Sequence, residues 1–186
     1  MKRKLEGKKM KKGKLSIFVL FIMLFTIVFS GCTKKTDSSK VIVPEDFSFS
    51  ITWGVYGISS YDSETKTLVK TTDTTHPEDY ITTLELSEDA LKEIYIKLTE
   101  EIDIFSYSDK YNPFPYESIP TQTIMISMKA DGKSKTVTCK NIAFGEPEDA
   151  IGGKGKRFIE KTDEITSALM NTEEWKSLPY YEFGYD

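Results

Sequence analysis

TQTIMISMKADGKSKTVTCK, residues 121–140, contains two runs of alternating polar and apolar residues, 121–129 and 134–140, joined by Ala130-Asp131-Gly132-Lys133. Asp-Gly is a preferred centre for a two-residue hairpin turn, because both central positions need φ > 0. Counting outward from that centre pairs Ile126 with Val137 and Ile124 with Cys139, so these four residues are expected on one face. The same apolar face makes Cys139 a buried small hydrophobe rather than a reactive thiol.

Upstream of the hairpin the pattern is again strand-like. Phe47, Phe49, Ile51 and Trp53 alternate with Ser48, Ser50 and Thr52, the period-2 signature of a sheet with one buried face. Gly54 and Gly57 interrupt it as a bulge or turn before residues 58–61. Asp62-Ser63-Glu64-Thr65 is turn chemistry leading to residues 67–70, so a meander is expected. A polar loop over residues 71–79 precedes a further strand over residues 80–86, rich in β-branched side chains. Ser87, followed by Glu88 and Asp89, is an N-cap hydroxyl beside two carboxylates that suit the positive end of a helix. Leu91, Ile94, Tyr95, Leu98, Ile102 and Phe105 then form one apolar stripe.

Residues 106–120 hold Pro113, Pro115 and Pro120, which exclude regular helix and central strand. Beyond the hairpin, residues 150–155 read as a glycine-rich loop. Phe158, Thr162, Ile165 and Leu169 mark a second amphipathic helix, residues 172–175 a last short turn, and the tail from Pro179 is aromatic and irregular. The fold class expected is α+β: an antiparallel sheet of about five strands with two amphipathic helices packed on one face.

The N-terminal stretch follows different rules. Residues 1–31 carry eight basic side chains against Glu6 alone. Removing these from the chain's 25 basic and 29 acidic residues leaves 17 against 28, a net charge of −11 over residues 32–186. So acidic a body repels phosphate backbones and excludes a nucleic-acid reader. The remaining 155 of 186 residues suit one domain and are too few for a two-lobed solute receptor. The basic run ends at Lys14, residues 15–29 are uncharged, and small residues precede Cys32, which is a signal-peptide layout.

Phe29-Ser30-Gly31-Cys32 resembles the lipobox of bacterial lipoproteins, with Phe29 standing where the family usually has Leu or a smaller aliphatic. The resemblance implies that Cys32 is acylated on sulfur and becomes the mature N-terminus, the lipid-attachment site of a protein on the outer face of the cytoplasmic membrane. The alternative is an uncleaved anchor, since the uncharged residues 15–31 could just span a bilayer. With Cys32 acylated, Cys139 has no cysteine to pair with. The resulting division is a signal peptide over 1–31, a flexible tether over 32–44, a single globular α+β domain over 45–178, and the aromatic tail over 179–186. The element order, with LSEDAL at 86–91 opening the first helix and Ile104-Phe105-Ser106 closing it, resembles small lipoproteins of Gram-positive bacteria. That group implies an envelope protein and supplies no catalytic residue to carry over.

Several chemical motifs are decoys. Gly132-Lys133-Ser134 ends like a Walker A loop, but Ser127 stands where that motif needs glycine. Residues 152–157, GGKGKR, could surround a phosphate, yet they lack a preceding strand and the full fingerprint. His76, the single histidine, has only Glu78 and Asp79 beside it. Asp62 with Glu64, and Glu146 with Glu148 and Asp149, do not follow the calcium-loop pattern.

The candidate partner-binding surface is aromatic: Tyr107, Tyr111, Phe114 and Tyr116, with Tyr180, Tyr181, Phe183 and Tyr185 in the tail. Rigid rings give contact area at low entropy cost; the competing reading is that they lid the core. The expected function is a non-catalytic binding or accessory module of the envelope, without a cofactor. It would act through an exposed sheet edge or the aromatic loop on a protein or glycan partner. A small hydrolase, metal-assisted or not, is the alternative.

Overall fold

The computed structural model describes residues 41–55, 58–70, 76–114, 119, 121–140 and 150–180. The strands are β1 Ser48–Trp53, β2 Ser59–Asp62, β3 Thr67–Val69, β4 Ile81–Thr83, β5 Thr123–Ala130 and β6 Lys133–Lys140. All pairings are antiparallel, and the sheet order is β4-β3-β2-β1-β5-β6. β1 is therefore the inner strand of a four-strand meander with β2, β3 and β4, and the hairpin docks on its other side. The helices are α1 Glu88–Ile96, α2 Gly152–Met170 and the short α3 Glu173–Ser177. This is the expected α+β architecture, with six strands in place of about five.

The hairpin register is the one expected, with Ile126 opposite Val137 and Ile124 opposite Cys139. At its tip Asp131 and Gly132 take φ values of 52° and 69°, the geometry that favours Asp-Gly. Pairing continues outward, Ile126 to Ile51, Ile51 to Tyr61 and Tyr61 to Leu68, so the buried residues of five strands line one face. Phe49, Ile51, Tyr61, Leu68, Ile126, Met128, Val137 and Cys139 form the sheet's share of the core. Ile94 and Leu98 from the first helical segment, and Phe158, Ile165 and Leu169 from α2, pack into the same core. Burial pushes the Cys139 thiol up to about 12, which makes it an inert core residue.

Ser87 caps α1 by accepting a hydrogen bond from the Ala90 N–H at 3.2 Å. The helix continues as a π-helical turn, Lys97–Glu101, and ends where Asp103 adopts a left-handed conformation with φ of 57°. Both features shift the helical phase. The apolar stripe consequently fails at its last member: Ile104 is fully buried, whereas Phe105 is 40% exposed. Lys97 bonds Glu93 and Glu164, and Lys161 bonds Glu101 and Glu164, tying this segment to α2.

Other boundaries are corrected. Tyr80 belongs to a 3₁₀ turn, Pro77–Tyr80, and the strand expected over 80–86 shrinks to β4, because Tyr80 and Leu84 are both drawn into the interior. The glycine-rich loop expected over 150–155 is largely the first turn of α2. Gly155 is used there for close approach: a Cβ at this position would lie 3.2 Å from Tyr111 Oη and 3.3 Å from Pro113 Cβ. Glycine's low helix propensity made the segment look irregular, and packing against residues 111–113 overrides it.

Candidate functional site

The aromatic segment is lid, not surface, at the positions described. Residues 109–112 run along the outer edge of β6. The Tyr111 N–H donates to the Thr138 carbonyl at 3.0 Å, the Thr138 N–H to the Asp109 carbonyl at 2.8 Å, and the Lys140 N–H to Asn112 Oδ1 at 3.2 Å. The segment thus covers an edge that would otherwise expose unpaired backbone groups. Its rings turn inward as a consequence. Tyr107 and Phe114 are each 3% exposed. Tyr107 meets Tyr111 edge-on at 4.8 Å and Phe158 at 5.1 Å, and its hydroxyl donates to the Lys154 carbonyl at 2.9 Å. Burial pushes the Tyr107 phenol up to about 12. Tyr107 and Phe114 therefore cannot anchor a partner in this conformation, and Tyr111 is half-buried among them. Tyr116, Cys32, the acidic cluster at 146–149 and the tail rings of Tyr181, Phe183 and Tyr185 lie outside the described residues.

The remaining sequence candidates are placed as follows. Lys154, in the glycine-rich segment, donates to the Ser106 carbonyl at 2.8 Å and lies 4.1 Å over the Tyr107 ring, so this cation secures the lid. His76 sits 3.9 Å from Glu78, with both side chains largely exposed. Among the described residues no group of three or more His, Cys, Asp or Glu is placed to hold a metal ion. Asp62 Oδ1 accepts from the N–H groups of Glu64 and Thr65, so one of its carboxylate oxygens serves the β2–β3 turn.

A buried lysine escaped sequence reading. Lys70 is 6% exposed, donates to the Leu178 carbonyl at 2.9 Å, and lies 4.8 Å from the Tyr180 ring centre and 5.6 Å from that of Trp175. The Tyr80 hydroxyl donates to the Tyr180 carbonyl at 2.9 Å. Together they strap residues 178–180 across the end of the sheet, while burial holds the Lys70 pKa below its ordinary value.

Among the described residues, no helix covers the opposite face of the sheet. Strand register aligns one residue per strand in a row perpendicular to the chains: Thr83, Thr67, Asp62, Ser50, Ser127 and Thr136. Every member is polar, and five of the six carry hydroxyls. Ser48, Lys129 and Ser134 form a parallel row nearer the hairpin tip. Where the two rows cross β1, β5 and β6, small serines leave a groove of about 210 Å³, with Asp62 and Glu64 at the β2 side and Lys129 toward the hairpin. Ser127 and Thr136 hydroxyls lie 2.9 Å apart across the strands. A hydroxyl both donates and accepts, so the floor presents both functions in close alternation. No family model, no curated protein and no solved structure matches this chain.

Proposed function

We propose that the protein is a lipid-anchored binding module of the bacterial cell envelope, secreted through its signal peptide, held on the outer face of the cytoplasmic membrane by acylated Cys32, and acting without catalysis. The observation that carries the binding role is the sheet face that no described helix covers, with its polar groove: helices and the 109–112 segment cover the core face and part of the β6 edge, whereas this face keeps its hydrogen-bonding groups turned outward. The lipobox-like FSGC at 29–32 supports the address, and two acyl chains on one residue suffice for stable attachment.

Two measurements on the full chain test the proposal. Metabolic labelling with a fatty-acid probe should mark the wild-type chain and not Cys32→Ser, which should accumulate as a longer precursor. Sedimentation with envelope fragments of the detergent-extracted protein should be saturable and should be lost in a Ser50→Trp, Ser127→Trp variant that fills the groove. Equal sedimentation of the blocked and wild-type proteins would remove the open face from the function, and label persisting in Cys32→Ser would remove the lipid anchor.

A further inference from the structure

We infer that the groove on the open face binds a neutral, extended polysaccharide chain lying across the strands, with Ser50 and Ser127 at its centre; this deepens the binding-module reading and rests on it. Three observations converge. The first is spacing. Neighbouring strands lie about 4.7–4.9 Å apart, so Asp62, Ser50, Ser127 and Thr136 place a polar group at intervals close to the length of one pyranose ring in an extended glycan. The four positions together span about 14 Å, three strand intervals.

The second is volume. The groove's 210 Å³ equals the space of about seven waters, which is the room one sugar ring needs, with neighbouring rings seated on the shallower ends of the row. The third is charge. In the groove's lining Asp62 and Glu64 are balanced by Lys129 and Lys135, and residues 32–186 carry a net −11 from 17 basic and 28 acidic side chains. A polyanion is repelled by that body, and a polycation finds hydroxyl donors in the groove that it cannot use. A chain of neutral hydroxyls uses both the donors and the acceptors of the serine floor.

Phe49 borders the groove, but its side chain is 3% exposed and belongs to the core, so each ring of the ligand is held by hydrogen bonds rather than by stacking. Affinity must then accumulate along the chain. Titration of the full-length protein in detergent with neutral β-1,4-linked glucose and N-acetylglucosamine oligomers, from disaccharide to hexasaccharide, should show affinity rising with length and levelling off once the ligand spans the four strands. Ser50→Val with Ser127→Val should weaken the tetrasaccharide about tenfold or more, with the melting temperature unchanged, and Ser50→Thr with Ser127→Thr should restore it. An oligomer of glycerol phosphate should bind more weakly than either neutral series.

Affinity independent of length, or valine variants that bind normally, would overturn the assignment of the row. Failure of every neutral oligomer while envelope sedimentation is still lost in the tryptophan-blocked variant would overturn the glycan and leave the binding module standing. Failure of both assays would overturn both.

Discussion

Replacing Tyr107 by alanine and, separately, by phenylalanine distinguishes a core lid from a binding surface in quantitative terms. The ring is 3% exposed and packs on Tyr111 and Phe158 at centroid distances of 4.8 and 5.1 Å. Truncating a buried aromatic to alanine costs about 3–5 kcal/mol. Phenylalanine keeps the packing and loses only the 2.9 Å hydrogen bond to the Lys154 carbonyl, which costs about 0.5–1.5 kcal/mol. For a domain of this size one kcal/mol moves the melting temperature by about 2–4 °C. Alanine should therefore lower it by roughly 6–20 °C and phenylalanine by roughly 1–6 °C. Thermal melts followed by circular dichroism on the two variants and the parent decide the matter. An alanine variant melting within a degree of the parent would refute the lid, and so would a phenylalanine variant as damaged as the alanine one.

Ile126→Asp should unfold the domain while Lys133→Ala leaves its melting temperature unchanged, because Ile126 is fully buried between Ile51 and Val137 and Lys133 is exposed beside the hairpin turn; equal melts would contradict the register. The Asp46 carboxylate accepts the N–H groups of Gly132 and Asp131 at 2.8 Å each, which hold its pKa below the ordinary 3.8. A depressed folded-state pKa gives stability that is complete above the ordinary value and is lost as pH falls through the folded one. Asp46→Asn should therefore cost stability at neutral pH and narrow the gap from the parent as the solution is acidified below about pH 4; a gap that widens on acidification would refute the clamp.

The parts of the fold governed by local rules were legible in the chain. The Asp131-Gly132 turn dictated its register because a two-residue loop leaves no slack, and the alternation from Phe47 to Trp53 marked a half-buried strand because side chains on a strand must point to opposite faces. Ser87 announced the first helix because a hydroxyl there satisfies an otherwise orphaned N–H. What failed depended on distant partners. Phe105 fits a 3.6-residue stripe, and only the π-helical turn with the left-handed Asp103 shows that the stripe had already slipped. Phe114 lies between Pro113 and Pro115 and Tyr107 opens the polar run before them, a context that favours recognition and core lids equally, and the choice was made by the edge of β6, which residues 109–112 cover. The candidate site was the least legible part. Ser48, Ser50 and Thr52 were visible as the polar half of one strand. The alignment of Ser50 with Asp62 on one side and with Ser127 and Thr136 on the other requires β5 to pair with β1 across the 77 positions that separate Ser50 from Ser127.

The chain reaches the sheet through residues 41–47 and passes directly into β1, a strand with neighbours on both sides. Tension applied through that leading segment along the strand axis loads the hydrogen bonds to β2 and β5 in shear, so that many must yield together. An edge strand under the same pull would be peeled bond by bond. Before the load reaches β1 it meets Asp46, whose two bonds to the tip of the hairpin lie at the surface. The clamp should part first, lengthening the leash while the sheet stays whole, and should close again when the pull relaxes. Asp46 then works as a mechanical fuse between the leading segment and the sheet.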